Sequence, residues 1–155
     1  MPIRLIQLLF SPGYKIPPEV EARFADEALC RRCGRCCHSA IKVERKFVLL
    51  LDLPCRYLDW EADGRAGCRI YARRENTDFC NRLSRSSIAR DLFPPDCPYV
   101  QGIPDYQGKI VVSEAEFRAL RPALQKIFQD YPQPRAVTRR HWRRFLGEVL
   151  GLNDP

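Results

Sequence analysis

Four thiols fall within eight residues, Cys30-Arg31-Arg32-Cys33-Gly34-Arg35-Cys36-Cys37. A C-x-x-C step lets two thiolates converge on one ion, because the short backbone between them can turn tightly around it. Gly34 suits such a turn, since glycine takes a positive φ at no steric cost. Cys30, Cys33 and Cys36 together read C-x-x-C-x-x-C, the spacing that also opens the bacterial ferredoxin run around an iron–sulfur cluster. Cys37 stands outside that pattern. Neighbouring side chains point apart, so Cys36 and Cys37 are not expected to share one zinc ion in an unstrained tetrahedron. Either they serve two nearby sites, or one of them lies behind the ligand shell. Arg31, Arg32 and Arg35 add positive charge, which favours the thiolate, the species that binds metal.

The other four cysteines are Cys55, Cys68, Cys80 and Cys97, and none precedes Cys30 or follows Cys97. A disulfide framework is the alternative for eight cysteines in a small chain, provided the chain is exported. Met1 to Phe10 is apolar but short, contains Arg4, and runs into Ser11-Pro12-Gly13 rather than a small-residue cleavage site. We therefore expect a cytoplasmic protein with reduced thiols, in which a cysteine cluster binds metal.

The spacing Cys30-x-x-Cys33-Gly34-x-Cys36-Cys37 resembles the signature of the CxxCxxCC family, the YkgJ-like cysteine-cluster proteins. The resemblance continues through Pro54-Cys55-Arg56-Tyr57-Leu58-Asp59, through Gly67-Cys68-Arg69-Ile70-Tyr71-Ala72-Arg73-Arg74, through Cys80, and through Pro95-Asp96-Cys97-Pro98-Tyr99. It covers residues 29–100 and implies chelation of zinc or iron by the eight cysteines. Many members have Arg-Pro where this chain has Arg74-Glu75, and the interval from Cys68 to Cys80 is longer, closer to a YcgN-like branch. The family includes a flagellin lysine methylase, whose additional regions a chain of 155 residues has little room for.

These thiols need elements to carry them. The length suits one domain, divided into an N-terminal arm and helix (1–29), the cysteine module (30–100), and a C-terminal strand and helices packing on it (101–155). The expected fold is α+β, an irregular cysteine-rich module with short strands, flanked by helices. Residues 1–16 read as a short strand or arm. Pro17-Pro18 opens a helix with Val20, Phe24 and Ala28 on one face. Phe47-Val48-Leu49-Leu50-Leu51 reads as a buried strand. Trp60 to Arg65 is a turn with its tip at Asp63-Gly64, and Cys68 to Tyr71 is the returning strand. A short helix precedes Pro94-Pro95, and Gly108 to Val112 is a further strand. Ser113-x-x-Glu116 has the pattern of a capping box. The helix it starts presents Phe117, Leu120, Leu124 and Phe128, with Pro122 breaking or kinking it. Pro132 and Pro134 mark a linker. Thr138 caps a last helix, whose apolar side carries Trp142, Phe145, Leu146 and Val149.

The formal charge of +7 raises a nucleic-acid reading, with Arg139, Arg140, Arg143 and Arg144 beside Trp142 as its patch. A solvated helix face beside a core tryptophan is the simpler account. Eight thiolates on two zinc ions would in any case lower the charge to about +3. His38 is an alternative ligand, His141 a surface residue, Asp59, Glu61 and Asp63 turn residues, and Tyr71 a packing residue. The sequence has no G-x-S-x-G elbow, P-loop or H-E-x-x-H, and no apolar run long enough to span a membrane. The expected cofactor is an iron–sulfur cluster or zinc. An enzyme or accessory subunit modifying a protein side chain, and a metal-scaffolded nucleic-acid module, are the alternatives.

Overall fold

In the computed structural model, which describes residues 13–152, the run Phe47–Leu51 sits inside a hairpin. Strand β1 (His38–Val43) pairs antiparallel with β2 (Lys46–Pro54), with Val43 opposite Lys46 and Ala40 opposite Leu49. The two tip residues, Glu44 and Arg45, both have positive φ, 50° and 72°. That is the type I′ geometry, whose twist matches the flanking strands. Val48, Leu49 and Leu50 are buried, but Leu51 is 54% exposed, so burial of the run stops one residue earlier than expected. The register slips between His38 and Ala40, so that His38 faces Pro54. The slip lies directly beside Cys37 and Cys55.

A second hairpin, β3 (Leu58–Trp60) with β4 (Ala66–Cys68), places Leu58 opposite Cys68. Asp63 shapes its tip, accepting the Arg65 backbone N–H at 3.0 Å. The returning strand ends at Cys68 rather than Tyr71, and Tyr71–Asn76 forms 3-10 turns instead.

The first expected helix is broken. Helix α1 spans only Pro18–Glu21, followed by 3-10 turns at Ala22–Ala25 and Glu27–Leu29. Asp26 causes the break. Its backbone is extended and its carboxylate accepts from the Ala28 N–H at 3.1 Å, which restarts the chain as a capped turn. Helix α2 (Arg85–Ala89) starts at Ser84, which with Ser87 forms a reciprocal cap.

The expected strand at Gly108–Val112 reduces to one parallel bridge, Val48 to Ile110. Gly108, at φ +70°, turns the backbone against the Phe93 carbonyl, and Lys109 points into the interior, 1% exposed. Helix α3 (Glu114–Phe128) starts at Ser113, whose side chain accepts the Glu116 N–H at 3.1 Å. Half of the expected capping box is thus formed, while the Glu116 carboxylate pairs with Lys46. The helix runs unbroken through Pro122. Pro122 and Arg118, the residue whose carbonyl loses its donor, are both exposed, so water can serve that carbonyl. Thr138 caps α4 (Arg139–Arg144), which continues as a π turn over Phe145–Val149.

Two apolar clusters result. In the larger, Val48, Leu50 and Leu53 of β2 pack with Leu120, Leu124 and Phe128 of α3 and with Trp142 and Phe145. Phe128 meets both aromatic rings edge-on, at 5.8 and 5.1 Å. In the smaller, Val20, Ile88, Phe93, Val100 and Ile103 form the centre, and Cys36 and Cys97 pack against them. No helix among the described residues is long and apolar enough to cross a membrane. The strand or arm expected at residues 1–16 lies largely outside the described residues.

Candidate metal centre

All eight cysteines are free thiols, and all eight line one cavity of about 1050 Å³. Cys30 and Cys33 are exposed; the other six are partly buried. Gly34 organises the first loop. Its φ is +77°, and its carbonyl accepts the Cys37 N–H at 3.0 Å, closing a 3-10 turn over Arg35–Cys37. A Cβ on Gly34 would lie 3.0 Å from both Ala66 Cβ and the Trp60 ring, so the second hairpin packs directly on this glycine. The Arg32 N–H donates to Cys30 Sγ at 3.3 Å.

Cys37, Cys55, Cys68 and Cys80 are joined through backbone and ring contacts. The Cys55 N–H donates to the Cys37 carbonyl at 2.7 Å. The Cys55 carbonyl accepts from the Leu58 N–H at 2.9 Å, and Leu58 faces Cys68 across the β3–β4 ladder. Phe79, next to Cys80, stacks on Tyr57, the residue before β3, with 6.1 Å between centroids.

Cys97 is anchored elsewhere. The Tyr99 hydroxyl donates to the Asp26 carbonyl at 2.5 Å, and the Arg23 guanidinium donates to the Pro98 carbonyl at 2.9 Å. Asp96 lies 3.5 Å from the Arg35 guanidinium. Three contacts therefore tie the Cys97 segment to the chain on both sides of Cys30.

The adjacent sulfurs of Cys36 and Cys37 are 4.0 Å apart. Cys36 is the acid of the pair, drawn down to about 7 by the Cys37 S–H against its sulfur, with the Lys109 ammonium assisting. Cys37 is correspondingly pushed up, by that shared hydrogen bond and by burial. Burial raises Cys55 and Cys80, with the neighbouring Cys68 adding to each. Burial pushes Cys97 up to about 11, and Cys36, Cys30 and Cys33 add to it.

Lys109 is the residue that sequence reasoning missed. Its Nζ donates to the Cys36 carbonyl at 3.1 Å and to the His38 carbonyl at 2.7 Å, so it brackets Cys37 from behind. Burial lowers it to about 8, with the neighbouring Cys36, Cys37 and Cys33 acting in the opposite direction. Asn81 also donates to the Cys36 carbonyl, at 3.0 Å. Of the arginines expected beside the thiols, Arg32 pairs with Glu61 and Arg35 with Asp96.

The remaining candidates have structural partners. His38 is buried with Nδ1 against the Gly34 carbonyl at 2.7 Å. His141 Nδ1 lies 2.8 Å from the Thr138 hydroxyl at the start of α4. Asp59 accepts the Trp60 N–H at 2.9 Å. Tyr71 is not a packing residue. It is 50% exposed, donates to Glu27 at 3.0 Å, and carries the Arg74 guanidinium 3.9 Å over its ring. Arg139, Arg140, Arg143 and Arg144 are exposed while Trp142 is buried in the larger cluster.

The donor types suit a thiophilic metal: eight free thiols line one cavity, with a buried cation beside Cys36 and Cys37. The set is gathered but not closed. Among the described residues, no three histidine, cysteine, aspartate or glutamate side chains converge closely enough to hold an ion.

Three curated relatives align with the chain. A UPF0260 protein of Gluconacetobacter diazotrophicus is 37% identical over 93 residues, 54% of this chain and 56% of its own. An uncharacterized protein of Methanocaldococcus jannaschii is 37% identical over 90 residues, covering 56% and 61%. A UPF0260 protein of Granulibacter bethesdensis is 34% identical over 76 residues, covering 47% and 44%. The chain spans about half the length of the curated relatives it matches. No family model matches the chain. No solved structure matches it either.

Proposed function

We propose that this chain is a metal-binding protein of the CxxCxxCC type, in which Cys30, Cys33, Cys36, Cys37, Cys55, Cys68, Cys80 and Cys97 ligate an iron–sulfur cluster or zinc. One observation carries the reading: every cysteine of the chain is a free thiol on the wall of a single cavity. Thiols that served only as small apolar groups would have no reason to collect around one cavity. Zinc would supply a rigid cross-link without redox chemistry, and an iron–sulfur cluster would add one-electron transfer. The chain's own part is to deliver the thiols from five separate places, the Cys30–Cys37 cluster and the four later cysteines, and to hold a positive charge beside Cys36 and Cys37.

Metal analysis and a visible absorption spectrum of protein purified without oxygen test the reading. Broad sulfur-to-iron absorption with matching iron and sulfide would identify a cluster, and colourless protein with bound zinc would identify zinc. Protein that retains neither, as purified or after reconstitution with each, would overturn it.

A further inference from the structure

The geometry points to two four-thiolate metal sites, one formed by Cys30, Cys33, Cys36 and Cys97 and the other by Cys37, Cys55, Cys68 and Cys80, divided at the Cys36–Cys37 peptide bond. This rests on the metal-binding reading and assigns its ligands.

The first set is held by the loop and by the smaller apolar cluster. Cys30, Cys33 and Cys36 follow one another at C-x-x-C steps. Cys97 is brought to them by the Tyr99–Asp26, Arg23–Pro98 and Arg35–Asp96 contacts. Cys36 and Cys97 also pack against the same apolar cluster. The second set is held by the two hairpins. Cys37 is tied to Cys55 by the 2.7 Å backbone bond, Cys55 to Cys68 through Leu58, and Cys80 to the same hairpin through the Phe79–Tyr57 stack. No contact of this kind links Cys97 to the hairpins among the described residues.

The backbone explains how neighbours can belong to different sites. The Cys36 carbonyl is held by Lys109 and Asn81, and the Cys37 carbonyl by Cys55. The two carbonyls are thus held by different partners, and the two sulfurs lie 4.0 Å apart, where the sites adjoin. A divalent ion with four thiolates carries two negative charges, so two such sites side by side repel. Lys109 places a buried ammonium where they adjoin. Closure of each set around its ion is the step that metal itself contributes.

Co²⁺ is the probe, added to the full reduced chain in the presence of a weak competing chelator and read by native mass spectrometry and by the absorption of tetrahedral cobalt thiolates. Two ions per chain are expected. Cys30→Ala with Cys97→Ala should retain one ion with an intact four-thiolate spectrum, as should Cys55→Ala with Cys80→Ala. Cys97→Ala with Cys80→Ala, also two substitutions, should lose both. One ion per wild-type chain, or a retained four-thiolate site in the Cys97/Cys80 pair, would overturn the grouping while leaving metal binding intact. Wild type that binds no Co²⁺, Zn²⁺ or iron would overturn the reading beneath it as well. Differential alkylation of wild type at substoichiometric Co²⁺ needs no variant. Protection should rise equally within each set of four, and a set that mixes the two would refute the assignment.

Discussion

The ammonium of Lys109 donates to the carbonyl of Cys36 across 73 positions of sequence, from a side chain that is 1% exposed. The same nitrogen reaches the His38 carbonyl, so the backbone on both sides of Cys37 is held by one buried cation. Replacing it tests whether the charge matters to the thiols.

Lys109→Met should lower folding stability by about 2 kcal/mol, the scale of hydrogen bonds from a charged donor. It should also move the Cys36 thiol back towards its ordinary range, because the ammonium helps to lower it. Urea unfolding reads the first effect, and the pH dependence of Cys36 alkylation in metal-free protein reads the second. A pH profile identical to wild type would show that Lys109 is only a packing residue.

Gly34→Ala attacks the loop through backbone and space together. The φ of +77° is costly for alanine, and the new methyl meets Ala66 and Trp60 at 3.0 Å. A loss of about 1–3 kcal/mol is expected, with faster amide exchange in β3–β4. Wild-type exchange at Ala66, whose N–H donates to the Arg32 carbonyl at 2.7 Å, would contradict this account.

Metal-free Cys97 gives a pH dependence with a definite sign. Its folded value lies near 11, raised mainly by burial from an ordinary value of 9.0. The thiol therefore contributes stability that is fully present below pH 9 and lost as pH rises towards 11. Cys97→Ala should lose less stability than wild type over that window, by urea midpoints at each pH. Parallel curves would show that Cys97 ionises as freely in the fold as out of it.

The β1–β2 tip offers a change in the opposite direction. Glu44 and Arg45 occupy the left-handed region, where their side chains are disfavoured. Glu44→Asn with Arg45→Gly supplies the residues that type I′ turns prefer and should stabilise the protein by about 1 kcal/mol. An unchanged or lower urea midpoint would be inconsistent with this turn.

The parts legible in the sequence were those whose cause is local. The strand at Phe47–Leu51, the caps at Ser113 and Thr138, and the positive φ of Gly34 each follow from a few neighbouring residues. The helix expected over Val20, Phe24 and Ala28 had the right periodicity, yet Asp26 bonded to the backbone within it and ended it. Tyr71 read as a packing residue with a satisfied hydroxyl; the hydroxyl is satisfied by Glu27, but the ring lies at the surface under Arg74. Lys109 left no trace because its acceptors are backbone carbonyls, which every residue possesses. The run Gly108–Val112 was apolar enough to suggest a strand, where the structure has a single bridge at Ile110.

The larger apolar cluster also sets an order of events during synthesis. Val48, Leu50 and Leu53 of β2 are covered by Leu120, Leu124, Phe128, Trp142 and Phe145. The centre of the smaller cluster, by contrast, is complete once Ile103 is made. At ribosomal rates of about 5–20 residues per second, β2 waits on the order of ten seconds for the last of its cover. During that interval Val48, Leu50 and Leu53 stand uncovered on the nascent chain. The cost of building this core from the two ends of a long stretch is therefore kinetic, and it falls on a chain not yet released.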